Sequence, residues 1–301
     1  MLNEVIANGG TCEIRQENDK IRAVFVATSF QKSNIERHKP KLFQLDTTFG
    51  TNRQKYKLAV FVYPCRQSNK TRVAAFALLA DERQENIEFM LRQFHALFPI
   101  DLLPKFFFVD KDFTQMAAIK AIFPGSQVYL CIFHTLKYLQ GLIATMNDNV
   151  LDLQEHKSVA FGLVKEMIMS YDQAAFDEAL KKWNKLVEHA TVKIAGKLHL
   201  LKRYFETNWA DCQDLWCTRF RRHEPVLFTN TTNRVESLFR ALKLEMQNAG
   251  LKNPTLAQFI PFLLAYLERR EFSHGMVVKR FSPNNSNYPE VMEEASKKLT
   301  W

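Results

Sequence analysis

Three acidic residues, far apart in the chain, occur where α/β proteins do chemistry. Asp110 ends the apolar run FFFV (106–109), at the carboxyl edge of what reads as a parallel strand, and active-site groups of open α/β sheets collect at such edges. Asp46 ends a similar run, LFQLD (42–46). If the two strands are neighbours, both carboxylates reach one side of the sheet, where they repel and raise one another's pKa unless a proton or a cation lies between them. Hard oxygen ligands of this kind suit Mg²⁺ or Mn²⁺. A third acid, Glu236, lies beside the stripe Val235, Leu238, Phe239, Leu242 and Met246 of an amphipathic helix. Each acid also has a plainer reading. A lone aspartate closing a strand is commonly just solvated. Asn233 and Glu236 resemble the N-cap and N3 positions of a capping box, so Glu236 serves as cap, ligand or both. Asp112, with Gln115 three residues on, reads as the cap of the next helix.

The elements that must position these acids follow from periodicity. Residues 12–28 alternate weakly and break at Glu17-Asn18-Asp19, a β-hairpin. LFQLD, KLAVFVYPC (57–65) and RVAAFALL (72–79) read as a meander of three antiparallel strands. A helix is predicted over about 84–97, a strand buried on both faces over 106–109, a helix over 113–122 stopped by Pro124-Gly125, a strand over 128–130 and a helix from about Cys131. Hairpins followed by parallel crossovers give a mixed five-stranded sheet flanked by helices. From about 150 to 220 strand signals vanish; 157–169, 173–188 and 193–208 look helical, with Trp183, Leu186, Leu198, Leu201 and Phe205 as core candidates. Pro225 and TNTTN (229–233) are loop and cap chemistry, and helices follow over 235–246 and about 255–270. The expected division is an N-terminal hairpin extension (1–40), the first part of the core (41–149), a helical insertion (150–225), helices completing the core (226–270) and a polar tail (271–301).

Composition narrows the partners. The 301 residues are 47% hydrophobic and carry a net charge of +9, an excess that favours acidic partners, nucleic acid above all. Five irregularly spaced cysteines are no disulfide framework and read as an intracellular, reducing setting. The N-terminal MLNEVIANGG has neither the basic nor the apolar region of a secretory signal, and no apolar run is long enough to span a bilayer.

The stretches Asp46-Thr-Thr-Phe-Gly-Thr-Asn, AAFALLADE (74–82), VDKDFTQMAAIKAIFPGSQVYLCIFH (109–134) and TTNRVESLF (231–239) resemble the Mutator-like (MULE) transposase domain. Gly9-Gly10 with its hairpin, KDFT and LCIFHTLKYL are most similar to the RNase H-like domain of zinc-finger SWIM-domain proteins of the type 1 and 3 group, over roughly residues 1–270. The resemblance implies an RNase H-like core with the helical insertion before the last catalytic helix. It implies a catalytic and metal-binding trio of Asp46, Asp110 and Glu236, holding two Mg²⁺ or Mn²⁺ ions and cleaving and joining DNA in the nucleus. The intervals are 64 residues between the aspartates and 126 to the glutamate, the second lengthened by the insertion. In that scheme Asp46 bridges both ions, Asp110 ligates one and Glu236 the other. Family members usually carry a DNA-binding domain before this core and a SWIM zinc finger after it. Neither is seen here, which reads as a fragment, a truncated product or a domesticated remnant. Transposases often act as multimers, so a homo-oligomer is a further expectation.

Cations clustered near the acids would hold phosphates without reading sequence: Arg53, Lys55 and Lys57 after the first, Lys111 after the second, Arg219, Arg221, Arg222 and His223 before the third, and Arg240 and Lys243 after it. Cys131 and His134 form the C-x-x-H of the family. Two ligands do not make a zinc site, and a buried thiol with a hydrogen-bonded imidazole supporting the sheet is the better reading. Cys212, Cys217 and His223 also lack a fourth ligand. Trp209, Trp216 and Phe220 read as insertion core, with base stacking as the alternative. The leading expectation is a metal-dependent DNA strand-transfer nuclease. The rival is a domesticated nuclear descendant that binds DNA or protein without cleavage, and the last is a basic α/β scaffold for protein contacts.

Overall fold

The computed structural model describes residues 2–65, 68, 70–144, 151–189, 203–221 and 233–280. Leu198, Leu201, Arg222, His223, Pro225, most of TNTTN and the tail beyond 280 lie outside them. Seven strands form one mixed sheet: β1 (Thr11–Glu17), β2 (Lys20–Ala27), β3 (Leu42–Thr48), β4 (Lys57–Pro64), β5 (Thr71–Leu79), β6 (Phe106–Val109) and β7 (Gln127–Leu130). Their order is β1-β2-β5-β4-β3-β6-β7. The predicted meander β3-β4-β5 is antiparallel throughout, and β3-β6-β7 is parallel.

The expected count of five strands is corrected to seven. The N-terminal hairpin supplies the two additional strands, because β2 pairs antiparallel with β5 from Ala23↔Leu79 to Val26↔Phe76. The cause is visible in β5, which is buried at all nine positions. An apolar strand of that kind cannot leave one edge of its ladder open to water, and the VFVA segment of β2 covers it. Two helices escaped the sequence reading, α1 (Leu2–Ala7) and α2 (Ser29–His38). For α2 the signal was there: Thr28 accepts the Gln31 N–H at 3.3 Å while Gln31 Oε1 accepts the Thr28 N–H at 2.8 Å, a complete capping box. The turn from α1 into β1 needs its glycines. Gly9 sits at φ 81°, and a Cβ on Gly10 would lie 2.6 Å from Val5 Cγ1 and 2.8 Å from two carbonyl oxygens.

The remaining helices are α3 (Gln84–His95), α4 (Phe113–Ile122), α5 (Ile132–Ala144), α6 (Leu151–Met169), α7 (Gln173–His189), α8 (203–208), α9 (Gln213–Trp216), α10 (Asn233–Asn248) and α11 (Leu256–Arg280). Asp112 caps α4, accepting the Gln115 N–H at 3.0 Å. Strand alternation sorts the helices between two faces. Phe43, Leu45, Phe107 and Val109 point to one face and join α3, α4 and α5 in a single core. That core continues into the insertion through Ala160, Val164, Met167, Trp183, Phe205 and Trp216. The insertion is thus bonded to the domain by shared apolar burial. Its details differ from expectation: α6 begins at Leu151, and 210–220 is a chain of short turns, two of them 3₁₀. The other face of the sheet, with Leu58, Val60, Val73 and Phe76, packs against the predicted stripe of α10 and against Phe259, Leu263 and Tyr266 of α11. That last helix runs through Arg280, so the first ten residues of the expected polar tail are helical. Arg72 on β5 and Glu271 on α11, each only 6% exposed, form an ion pair that ties α11 to the sheet.

Candidate active site

The parallel register places the first two acids side by side. Leu42 pairs with Phe106, Phe43 with Phe107 and Gln44 with Phe108, and the same offset carries Asp46 to Asp110. Adjacent strands lie about 4.8 Å apart. The strand itself runs two residues past Asp46, to Thr48. Parity puts Asp46 opposite Val60, on the face covered by α10, and the first turn of α10 carries Glu236. Asp46, Asp110 and Glu236 consequently line one cleft of about 1040 Å³. The antiparallel meander brings two more groups to the same edge. Lys57 starts β4 and Glu82 follows β5; the pair is salt-bridged, and Glu82 Oε1 accepts the Thr47 hydroxyl at 2.7 Å.

Burial pushes the Asp46 carboxyl up to about 6; Asp110 and Glu236 push it the same way, while the Thr47 N–H and the His134 charge oppose. That N–H donates to Asp46 Oδ1 at 2.7 Å, and the Lys111 N–H makes the matching bond to Asp110 Oδ1 at 2.7 Å. The two acids are therefore held alike, each by the backbone of the next residue.

The sequence reading placed His134 as a support for the sheet, and it lies in the cleft instead. Its Nε2 is 2.6 Å from Glu236 Oε1. The Cys131 sulfur is the main cause of an imidazole pKa raised to about 9, burial opposes it, and Cys131, Asp110 and Asp46 add their charge. The imidazole is thus an imidazolium at neutral pH, a countercharge among carboxylates. Cys131, fully buried at the end of β7, supports the turn below by donating its N–H to Val109 O at 2.9 Å. The C-x-x-H spacing is the signal for this pair: three residues on, in the first turn of α5, the ring reaches the cleft.

A raised histidine pKa stabilises the fold fully below its unfolded value near 6.5 and loses that contribution as pH rises through 9. The metal-free protein should therefore lose up to about 3 kcal/mol between pH 6.5 and 9. In His134→Gln that slope should flatten. Thermal melts in EDTA across the range measure it, and parallel slopes in the two proteins would remove His134 as the titrating group.

The cations divide. Arg240, Lys243, Lys57 and Lys111 line the cleft, together with Lys137, which the sequence reading passed over. Lys111 is partly engaged: its ammonium lies 3.7 Å from the Trp209 ring centroid and donates to Asn208 O at 2.6 Å, tethering the Asp110 loop to the insertion. Arg53 and Lys55 stand exposed on the turn before β4, outside the cleft lining. Arg219 is drawn into the insertion, over Phe176 and Phe220 at 4.6 Å from each centroid. Arg221 is corrected outright. It is fully buried, donates to Leu130 O at 2.8 Å and covers the Phe108 and Tyr129 rings, so no phosphate reaches it. Trp209 and Trp216 are buried core.

Among the described residues, no three His, Cys, Asp or Glu side chains are drawn together as a finished metal cage, and Glu236 is turned to His134. The donor set nonetheless fits a hard divalent cation: carboxylates from three elements share one cleft, and one of them resists ionisation without a countercharge.

A three-stranded antiparallel meander continued by two parallel strands, with acids at the shared edge and helices on both faces, is an RNase H-like fold. Residues 4–129 match the family model of the zinc finger SWIM domain-containing protein 1/3, RNaseH-like domain. The match takes in Asp46, Glu82 and Asp110 and ends before His134 and Glu236. Those two rest on the geometry of the cleft.

Proposed function

We propose that the chain is a Mutator-like transposase catalytic domain that cleaves and joins DNA phosphodiesters with divalent metal ions, acting in the nucleus. The observation that carries this reading is the convergence of Asp46, Asp110 and Glu236 from β3, β6 and α10 on one cleft. Those three side chains would hold Mg²⁺ or Mn²⁺, as two ions. When bound, the ions neutralise phosphate charge and activate the attacking water or 3′-hydroxyl. The chain's own residues do the rest. Arg240, Lys243 and Lys137 bind the phosphates that enter the cleft. The Thr47 and Lys111 N–H groups aim the two aspartates. His134, charged at neutral pH, holds Glu236 until a cation competes for it and then has a proton to donate to a phosphate oxygen.

One observation favours the rival reading, a domesticated descendant that binds DNA or protein without cleaving: the Glu236–His134 pair keeps one acid occupied. Mn²⁺ binding by electron paramagnetic resonance separates the two, on the chain and on Asp46→Asn, with and without a short duplex. Binding that the variant lowers by more than about 100-fold is expected, since outer hydrogen-bond partners of metal ligands alone are worth about 10–100-fold. Equal binding in both, or none even with DNA, selects the rival. Affinity for DNA that does not fall with salt would discard both in favour of a protein scaffold.

A further inference from the structure

The cleft holds two side chains that neither the acids nor the phosphate-binding cations explain. Phe49 is 75% exposed and Phe113 is 69% exposed, and both line the same cavity as the trio. Among the described residues, they are the exposed large apolar side chains that do so. Their positions correspond. Phe49 lies three residues after Asp46, in Asp-Thr-Thr-Phe, and Phe113 three residues after Asp110, in Asp-Lys-Asp-Phe. Because the two acids are in register on adjacent strands, the repeat sets one phenylalanine just past each of them. Neither ring belongs to the apolar core. Phe113 is the first residue of α4, whose cap is Asp112, and Phe49 precedes a turn through Gly50 at φ 72°. Each has an ammonium beside it: Lys243 is 5.5 Å from the Phe49 centroid and Lys111 is 5.7 Å from that of Phe113.

We propose that Phe49 and Phe113 are stacking posts for unpaired bases beside the acid cluster, so that the site takes nucleic acid splayed open at the phosphate it binds. The inference rests on the nucleic-acid reading above and specifies the form of its ligand. An aromatic face in water, next to a cation, accepts any base, and the Lys243 ammonium beside Phe49 meets the adjoining phosphate. A paired and stacked base offers no free face. A bulge, gap or strand end does, and an enzyme that acts there gains from a substrate already unpaired.

The test uses the full chain in EDTA, which prevents cleavage. One probe is a duplex with 2-aminopurine in a two-nucleotide bulge; the other is the same duplex fully paired. Anisotropy reads affinity and 2-aminopurine quenching reads stacking. The wild type should prefer the bulged probe and quench it. Phe49→Ala and Phe113→Ala should each lose about 5- to 150-fold on the bulged probe, keep their paired-duplex affinity and lose the quenching, while Phe49→Trp retains all three. Unchanged melting temperatures of the exposed-site variants establish that they fold. A bulged-to-paired ratio unaltered by the alanines overturns the stacking posts and leaves the nucleic-acid reading standing. Binding of neither probe by the wild type overturns both.

Discussion

In EDTA at pH 8, Asp46→Asn is expected to melt several degrees above the wild type. The sign follows from the carboxyl held at about 6 against an ordinary 3.8. A folded-state pKa above the unfolded one means that the fold binds the proton more tightly than the unfolded chain. The stability this brings is complete below pH 4 and is lost as pH rises through 6. Above pH 6 the wild type holds an ionised, half-buried carboxylate beside Asp110 and Glu236, and asparagine relieves it. The upper bound, at about 1.4 kcal/mol per pH unit, is about 3 kcal/mol, or about 2–4 °C for each kcal/mol in a domain of this class. Below pH 4 the two proteins should converge. Adding Mn²⁺ should invert the order, because a ligand at a hundredfold its dissociation constant stabilises the binding-competent protein by about 2.7 kcal/mol. Calorimetric melts from pH 3.5 to 8.5, with and without Mn²⁺, read every part of this. An asparagine variant that melts lower than wild type at pH 8 would mean that Asp46 is an ionised structural partner, and the destabilised-acid argument would go.

The second large effect lies away from the cleft. Glu271→Ala should cost about 3–5 kcal/mol, the range for breaking a buried ion pair by removing one partner. Burial raises the Glu271 pKa, and the Arg72 guanidinium is the main force holding it down. Removing the carboxylate strands that guanidinium under α11, and α11 carries Phe259, Leu263 and Tyr266 into the core behind α10. The expected secondary consequence is a loosened α10, hence a misplaced Glu236. The double variant Arg72→Met, Glu271→Met should recover most of the loss, since paired apolar replacements of buried ion pairs are often neutral. Urea unfolding of the wild type and the two variants measures it, and a loss below about 1 kcal/mol in the single variant would show that the pair is solvated enough to behave as a surface bridge.

Much of the site is legible in the chain because it follows from local rules. The runs that lead to Asp46 and Asp110 are short and apolar, and each acid stands four residues after the first paired residue of its strand, Leu42 and Phe106, so the acids fall in register once the strands adjoin. The stripe on α10 has a period that leaves little choice of buried face, so Glu236 falls beside the core. Asp112 declares itself by the cap. What escaped depends on pairing between distant segments. Nothing local in VFVA says that β2 will cover β5, which is why five strands became seven. His134 and Glu236 are 102 positions apart, and no periodicity joins them. Lys57 and Glu82 meet only because β4 and β5 run antiparallel, so a cation expected on phosphate is found on carboxylate. Arg221 misleads for a related reason: in the sequence it is one basic residue among several, and only the fold reveals its carbonyl acceptors, Leu130 O at the end of β7 and Leu215 O in α9.

That buried arginine changes how the long interval between the second and third acids should be regarded. By clasping Leu130 O and the rings of Phe108 and Tyr129, Arg221 returns the chain to the sheet edge after the insertion, fifteen positions short of Glu236. The tether that sets where Glu236 can reach is this short one. Segments added or removed before the clasp lengthen or shorten a side loop whose closure entropy changes only with the logarithm of its size, about 0.6 kcal/mol per doubling. The spacing of the trio in sequence is thereby uncoupled from its spacing in space, and the insertion is free to diverge in length without carrying the third acid away from the other two.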